Sequence, residues 1–430
     1  MTQTIMPPCY HFRPDMPSLW EVFRQGVSDA HSTIPETILS EPAVQLTGGK
    51  YGTPLVVSDP ELARVILQDR EVNFTRHPNM RRLMRRSWGN GIGAAEGEDW
   101  RRQRKAATPA FTPAAVQKRI AQFAFASGKA AGDWPLAEQF NLPDLVARII
   151  ADIVFTVLVD GGGAVDTRAV ADDLPGYINR IAHMDSLDLF PLAEALHDWR
   201  AGIAGDPAVR HLRAVAGDLA DRRGGGDDMI ALLEGVGPLE DNILGLMPAA
   251  MDTTVWGTSW VLYTLASRPE WQAKVAQEAR DCDGTFTLDR LPVTRRVVQE
   301  VLRLYPPAPL VVRAASKQQE LGGFRLMKGH TVTISFYAMH RHRKFWNEAD
   351  TFDPDRFLPE RLGNNPAYMP FGTGPRMCIA AQFALAEIIV VVAQLLAELE
   401  LAVAGAEPQV TLQVTTRSAT GLNVVAQRRG

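Results

Sequence analysis

Between about residue 114 and residue 310, apolar residues recur at three- and four-residue spacing and predict long helices. Residues 144–158 and 239–265 carry the clearest pattern. The second stretch is apolar on most sides, as expected of a helix that runs through the centre of a protein. Strand-like alternation is confined to the flanks. Residues 43–46 and 54–58, separated by Gly48-Gly49-Lys50-Tyr51-Gly52, predict an N-terminal hairpin, and 323–336 and 410–425 supply further short strands. Two glycine clusters, 161–163 and 224–226, read as loops between helices rather than domain boundaries. A last helix is predicted over 380–398. The pattern predicts a mainly α, helix-rich single domain over residues 1–430, with a minor β portion from about 35–75, 310–340 and 408–428.

Composition adds little to that picture and removes several alternatives. Apolar residues make up 46% of the chain and charged residues 22%, which is ordinary for a globular protein. A formal net charge of −4 gives no support for nucleic acid or an anionic membrane as partner. Cys9, Cys282 and Cys378 are far apart and form no C-x-x-C pair. That argues against a disulfide framework or structural zinc and fits a reducing compartment. The N-terminal stretch shows no basic segment followed by an apolar run, so no signal peptide is expected. The longest strongly apolar stretch, 388–399, is shorter than the ~20 residues a membrane span takes. The expectation is a cytoplasmic protein without a membrane anchor.

The most informative segment is Pro370-Phe371-Gly372-Thr373-Gly374-Pro375-Arg376-Met377-Cys378-Ile379-Ala380. Two glycines and a proline specify a tight loop, and an apolar helix follows at once. A cysteine there lies beside unpaired N–H groups and the positive end of the helix dipole, both of which lower a thiol pKa. The thiolate so favoured is what an iron ligand requires. Taken alone, Cys378 fits a buried structural cysteine equally, which is the commoner fate of the residue.

Four further patterns are separate from it. Glu300 and Arg303 are neighbours on one helical face, followed by a Pro306-Pro307 stop and later by Phe352-Asp353-Pro354-Asp355-Arg356-Phe357. Alone, such a pair is a solvated surface contact of little energetic weight. Ala249-Ala250-Met251-Asp252-Thr253-Thr254 places a carboxylate and two hydroxyls inside a mostly apolar helix, costly unless paired or functional. The bland alternative is a threonine back-bonded one turn earlier beside an exposed aspartate. Trp100 and Arg104 share a helical face and present an indole N–H and a guanidinium to one anion, or else form part of a solvated basic helix. His340 and His342 flank Arg341; without a third ligand they read as a solvated turn rather than a metal site.

In this order and spacing the residues resemble the cytochromes P450. Phe371, Gly374, Arg376, Cys378 and Ala380 fill the family's F-x-x-G-x-R-x-C-x-[G/A] signature, with Gly372 in the same loop. The resemblance implies the P450 fold and haem b, with Cys378 as axial ligand to the iron. It implies that Phe371 packs near the thiolate, and that Arg376, Trp100, Arg104 and Arg313 hold haem propionates. Glu300, Arg303 and Arg356 become a buried ionic triad. Ala249 and Ala250 lie over the distal face, where Thr253 holds the iron-bound oxygen and its water while Asp252 relays protons. Ala250 and Ala380 stand where glycine is usual, which narrows the oxygen groove and alters the approach of the last helix. The substrate pocket would be lined by a loop at 77–92, by Met247, Ala250 and Thr254, by Leu310, Val311 and Val312, and by the turn at 417–420 with Ser418. Its apolar residues imply a hydrophobic substrate, and Arg417 faces either a substrate carboxylate or solvent.

The activity implied is dioxygen activation, with two electrons from an external donor, to hydroxylate or otherwise oxidise a hydrophobic small organic molecule. The chain ends about fifty residues after Cys378, so no fused reductase is expected. A ferredoxin or flavodoxin, fed from NAD(P)H by its reductase, would supply the electrons. Arg101, Arg102 and Lys105 either attract that acidic donor or are merely solvated, and the arginines from 81 to 86 are ambiguous in the same way. Peroxide-using and isomerase-type members are alternatives against which the Asp252–Thr253 pair counts. A haem sensor without turnover is a third, and no DNA-binding or signalling segment supports it.

Overall fold

The computed structural model describes residues 7–18, 20–22, 29–46, 54–69, 72–157, 165–182, 196, 199, 202–222 and 229–430. The predicted hairpin turn and both glycine clusters lie outside them. The protein is mainly α. Its longer helices are α1 (Pro60–Gln68), α2 (Pro78–Trp88), α3 (Gly97–Ala107), α4 (Ile120–Gly132), α5 (Leu142–Val157), α6 (Thr167–Ile181), α7 (Pro207–Asp221), α8 (Leu239–Ala266), α9 (Pro269–Arg280), α10 (Pro292–Leu304) and α11 (Ala381–Glu398).

Helix α8 is the long apolar one, 28 residues, or about 42 Å at 1.5 Å per residue. It packs on α5, α7 and α11 and is buried along most of its length. A helix with no polar side must have neighbours all round, and this one does. Pro248 inside it removes one ladder N–H, and Thr253 Oγ1 bonds back to the Ala249 carbonyl at 2.9 Å. Both local departures fall in the segment that carries Asp252.

Strands β1 (Ala43–Gln45), β2 (Leu55–Val57), β3 (Phe74–Arg76), β5 (Leu310–Ala315) and β8 (Thr331–Ser335) form one sheet in the order β1-β2-β8-β5-β3. Between them in the chain lie β4 (Gln139–Asn141), β6 (Gln319–Leu321) and β7 (Phe324–Leu326); β9 (Leu399–Val403), β10 (Val410–Leu412), β11 (Thr416–Ser418) and β12 (Asn423–Arg428) follow. The β portion therefore falls where the alternation places it, with two additions, β4 and β9. Strand β4 pairs antiparallel with β12, and three residues are too few to show a period.

Two expectations need correction. Residues 77–92 are mostly helix rather than loop: His77 caps α2, accepting from the Asn79 N–H, and Pro78 takes the first turn, where its missing N–H costs nothing. The last helix keeps its predicted bounds to within a residue, but its apolar stretch is longer than 388–399. Among the described residues, Ala381–Glu398 is long and apolar enough to cross a bilayer, but 67% of it is buried inside the protein, against α4, α8 and α9.

Candidate functional site

The cysteine loop is built as its sequence demands. Gly372 and Gly374 have φ of 70° and 80°, values that L side chains avoid. At Gly374 a Cβ would lie 2.1 Å from the Leu67 carbonyl oxygen, so α1 presses directly on the loop. The Cys378 N–H closes the turn on the Phe371 carbonyl at 3.0 Å, and α11 begins three residues after the cysteine. The Cys378 side chain is exposed, yet much protein lies close around the sulfur.

That crowding corrects the expectation for the thiol. Burial pushes the Cys378 pKa up, and outweighs the lowering by the Ala380 N–H and by the Arg104 guanidinium. Of these two, the Ala380 N–H is of the kind the sequence predicts, whereas the Arg104 guanidinium was not expected to act on the thiol. A coordinating metal ion deprotonates a thiol outright, and such a site is then well matched to one.

Around this cysteine the structure gathers arginines. Arg376 stacks over Trp100 at 4.3 Å from the ring centroid and donates to the Ala95 carbonyl at 3.1 Å. The adjacent Ala94 carbonyl receives Arg76, at 3.2 Å. Arg76 lies directly opposite Arg313 in the β3–β5 pair. Arg104 is half-buried, with its pKa lowered first by burial and then by Arg376, against the attraction of Cys378. Like charges facing each other across a strand pair destabilise it unless an anion lies between. A thiol with Arg104 and Arg376 beside it fits a dianionic, iron-containing macrocycle: a soft donor for the metal, forks for carboxylates. Of the residues expected here, Trp100, Arg104 and Arg376 lie together, and Arg313 is tied to them only through its strand pairing with Arg76. Arg76 was not expected, because a three-residue strand gives no hint of what it faces.

On α8, Ala249 and Ala250 are partly buried, and Asp252 and Thr254 are buried. Arg417 of β11 faces neither substrate nor bulk solvent but Asp252, its Nη2 lying 2.9 and 3.0 Å from the two carboxylate oxygens. Thr415 Oγ1 donates to the same carboxylate at 3.0 Å. This pairing had no signal in the sequence.

The pocket residues divide. Leu310, Val311 and Val312 on β5 are partly exposed, consistent with lining a space. Ser418 is partly exposed, but its hydroxyl is used within the hairpin, donating to the Gly421 carbonyl at 2.7 Å. Met247 belongs to the core instead: 3% exposed, it borders a small apolar cavity with Val154 and Phe155 of α5. On the basic helix α3, Arg101 and Arg102 are exposed but paired with Glu98 and Asp99 at 2.9 and 3.1 Å. Part of the charge assigned to an electron donor is thus answered within the helix itself. Arg81 on α2 pairs with Glu96 at 3.0 Å.

Glu300, Arg303 and Arg356 meet. Arg303 holds Glu300 through two hydrogen bonds, 2.7 and 2.8 Å, and Arg356 Nε lies 3.4 Å away on the other side. The remaining Arg303 donors go to the carbonyls of His340, Ala349 and Thr351. His340 and His342 are buried, which overturns the solvated turn expected of them. His340 Nδ1 lies 3.2 Å from the Arg303 carbonyl, and its Nε2 accepts the Met369 N–H at 3.0 Å. The second bond requires a lone pair on Nε2, so the ring is neutral with its proton on Nδ1. It ties the triad to the strand of chain entering the cysteine loop.

This neutrality has a pH consequence. Burial and then Arg303 push His340 down to about 3, and burial pushes His31 down to about 4. Below pH 6.5 the unfolded chain takes up protons at both, whereas the folded protein does not. Stability is therefore full above 6.5 and falls toward pH 4, by up to about 1.4 kcal/mol per pH unit for each histidine. Urea unfolding at pH 7.5 and 5.5 should show a lower midpoint at 5.5, and a smaller drop in His31→Gln.

Comparison with known proteins agrees with the geometry. A family model described as Cytochrome P450 matches residues 41–199 and 238–420. The chain is 26% identical to the protein LUTEIN DEFICIENT 5, chloroplastic, of Arabidopsis thaliana, over 87% of this chain and 70% of that one. It is 29% identical to cytochrome P450 4A10 of Rattus norvegicus, over 81% and 75% respectively. Cyclooctatin synthase of Streptomyces melanosporofaciens is also 29% identical, over 76% of each chain.

Proposed function

The chain belongs to the cytochrome P450 family, a monooxygenase family whose cofactor is haem b, and we propose that it oxidises a hydrophobic small organic molecule with electrons from a separate ferredoxin or flavodoxin. A reductase would charge that carrier from NAD(P)H, and the protein would act in the cytoplasm. The observation that carries the site assignment is Arg104 and Arg376 beside Cys378, with Arg76 and Arg376 on the adjacent Ala94 and Ala95 carbonyls and Arg313 paired in register with Arg76.

Bound there, the haem supplies oxygen activation. Cys378 would hold the iron as a thiolate, and Phe371 belongs to the loop that presents it. Arg104, Arg313, Arg376 and the Trp100 indole N–H would hold the propionates, with Arg76 beside them. Glu300, Arg303 and Arg356 hold the framework and touch no reacting atom. Asp252 would take up protons and hand them to the Thr253 hydroxyl on the distal side of the site. Leu310, Val311 and Val312 exclude water from one side of the substrate. The Asp252–Thr253 pair supports this reading over a peroxide-using or isomerase-type role.

The test is the carbon monoxide difference spectrum of the reduced protein. Wild type should show the strongly red-shifted band of a thiolate-ligated haem, and Cys378→Ser should lose it. An imidazole-type band in wild type would remove Cys378 from its assigned place.

A further inference from the structure

We propose that Arg417 is a latch on the proton-carrying acid, holding Asp252 turned toward the C-terminal hairpin until a ligand in the substrate pocket turns the arginine aside. The proposal rests on the reading of Asp252 given above. In the structure neither member of the relay faces the other. Thr253 spends its hydroxyl proton on the Ala249 carbonyl, one turn back. Both oxygens of Asp252 are engaged by Arg417, and Oδ2 also by Thr415. Arg417 Nε in turn donates to Thr415 Oγ1 at 2.7 Å, closing a three-residue ring. A proton cannot travel by way of Asp252 to Thr253 until that ring opens.

The part that opens is the arginine side chain. Thr416, beside it, is fixed at three points. Its N–H donates to the Pro307 carbonyl, its hydroxyl to the Pro306 carbonyl, and its own carbonyl accepts from Trp260 Nε1. The strand therefore cannot swing as a unit. Arg417, by contrast, has a long flexible stem and lies 5.8 Å from the face of Trp256, which offers its cation a second resting place. Arg417 itself opens the turn at 417–420 assigned to the pocket, so a ligand filling that end of the pocket presses on its stem. Opening without a ligand strands two largely buried charges and is disfavoured. Once released, Asp252 takes a proton from solvent water, hands it on at Thr253 and returns to carboxylate. No electron is gained or lost at either residue.

The latch predicts that an empty pocket suppresses wasteful oxygen reduction. Arg417→Gln should raise peroxide formation in the absence of substrate several-fold, with an unchanged carbon monoxide spectrum to show an intact site. Arg417→Lys should restore most of the restraint, and Asp252→Asn/Arg417→Gln should fall back to the rate of Asp252→Asn alone. A second readout needs no turnover. In aspartate-13C-labelled ferric protein, the infrared carboxylate bands that vanish in Asp252→Asn should shift when 4-phenylimidazole fills the pocket, and should not shift in Arg417→Gln. Unchanged peroxide formation in Arg417→Gln, or bands unmoved by the probe in wild type, overturns the latch. If Asp252→Asn hydroxylates as fast as wild type, the fault lies in the reading of Asp252 itself.

Discussion

Arg303→Leu is expected to cost about 3–5 kcal/mol of stability, because it strands a carboxylate in the interior. Glu300 and Arg303 are both fully buried. The leucine removes two charge-assisted bonds from Glu300 and leaves Arg356 as its only guanidinium among the described residues, at 3.4 Å. It also removes donors from the carbonyls of His340, Ala349 and Thr351, which no water readily replaces. Arg303→Lys keeps the charge but loses the planar fork and should fall between the two. Urea unfolding at pH 7.5 measures the difference. A loss below about 1 kcal/mol would mean that the triad behaves like a surface pair.

Gly374→Ala should destroy the haem site while sparing most of the fold. The added Cβ would sit 2.1 Å from the Leu67 carbonyl oxygen and 3.1 Å from the Gln68 Cα, and backbone atoms cannot rotate away. The φ of 80° adds strain of order 1–3 kcal/mol for a side chain. Relief requires the loop to lift off α1, and Arg376 and Cys378 lift with it. Haem retention should weaken on the order of tenfold or more, read as loss of the thiolate-type carbon monoxide band at unchanged far-ultraviolet circular dichroism. Gly132→Ala, where a Cβ meets nothing within 4 Å, is the control.

The parts of the site legible in the sequence lie in short windows with strong local rules. The cysteine loop needs its glycines, the Glu300–Arg303 pair needs helical spacing, and Asp252–Thr253 stands out as polar residues in an apolar helix. What was not legible depends on residues far apart in the chain. Asp252 and Arg417 are 165 residues apart, and nothing local to either names the other. Arg76 sits on a strand too short to show a period. Met247 was misplaced for a different reason: a helix apolar all round has no phase, so its pattern cannot say which side faces a pocket and which faces α5. For the cysteine, a lowering backbone N–H was anticipated and the Arg104 guanidinium was not, and composition does not reveal how densely the finished fold surrounds a sulfur.

The joining of Arg76 and Arg376 to neighbouring carbonyls also has a meaning in time. Arg376 and Ala95 are separated by 281 residues, and Cys378 comes later still. While the chain is being synthesised, its first three hundred residues contain most of the helical framework but no place to seat a cofactor. The helices made early must wait, with apolar surface uncovered, for the last segment to arrive. Haem insertion is then a closing event in the birth of the molecule, and contacts of such long range make that closure slow. A cell making this protein quickly, with its haem supply lagging, would accumulate chains whose framework is finished and whose centre is not.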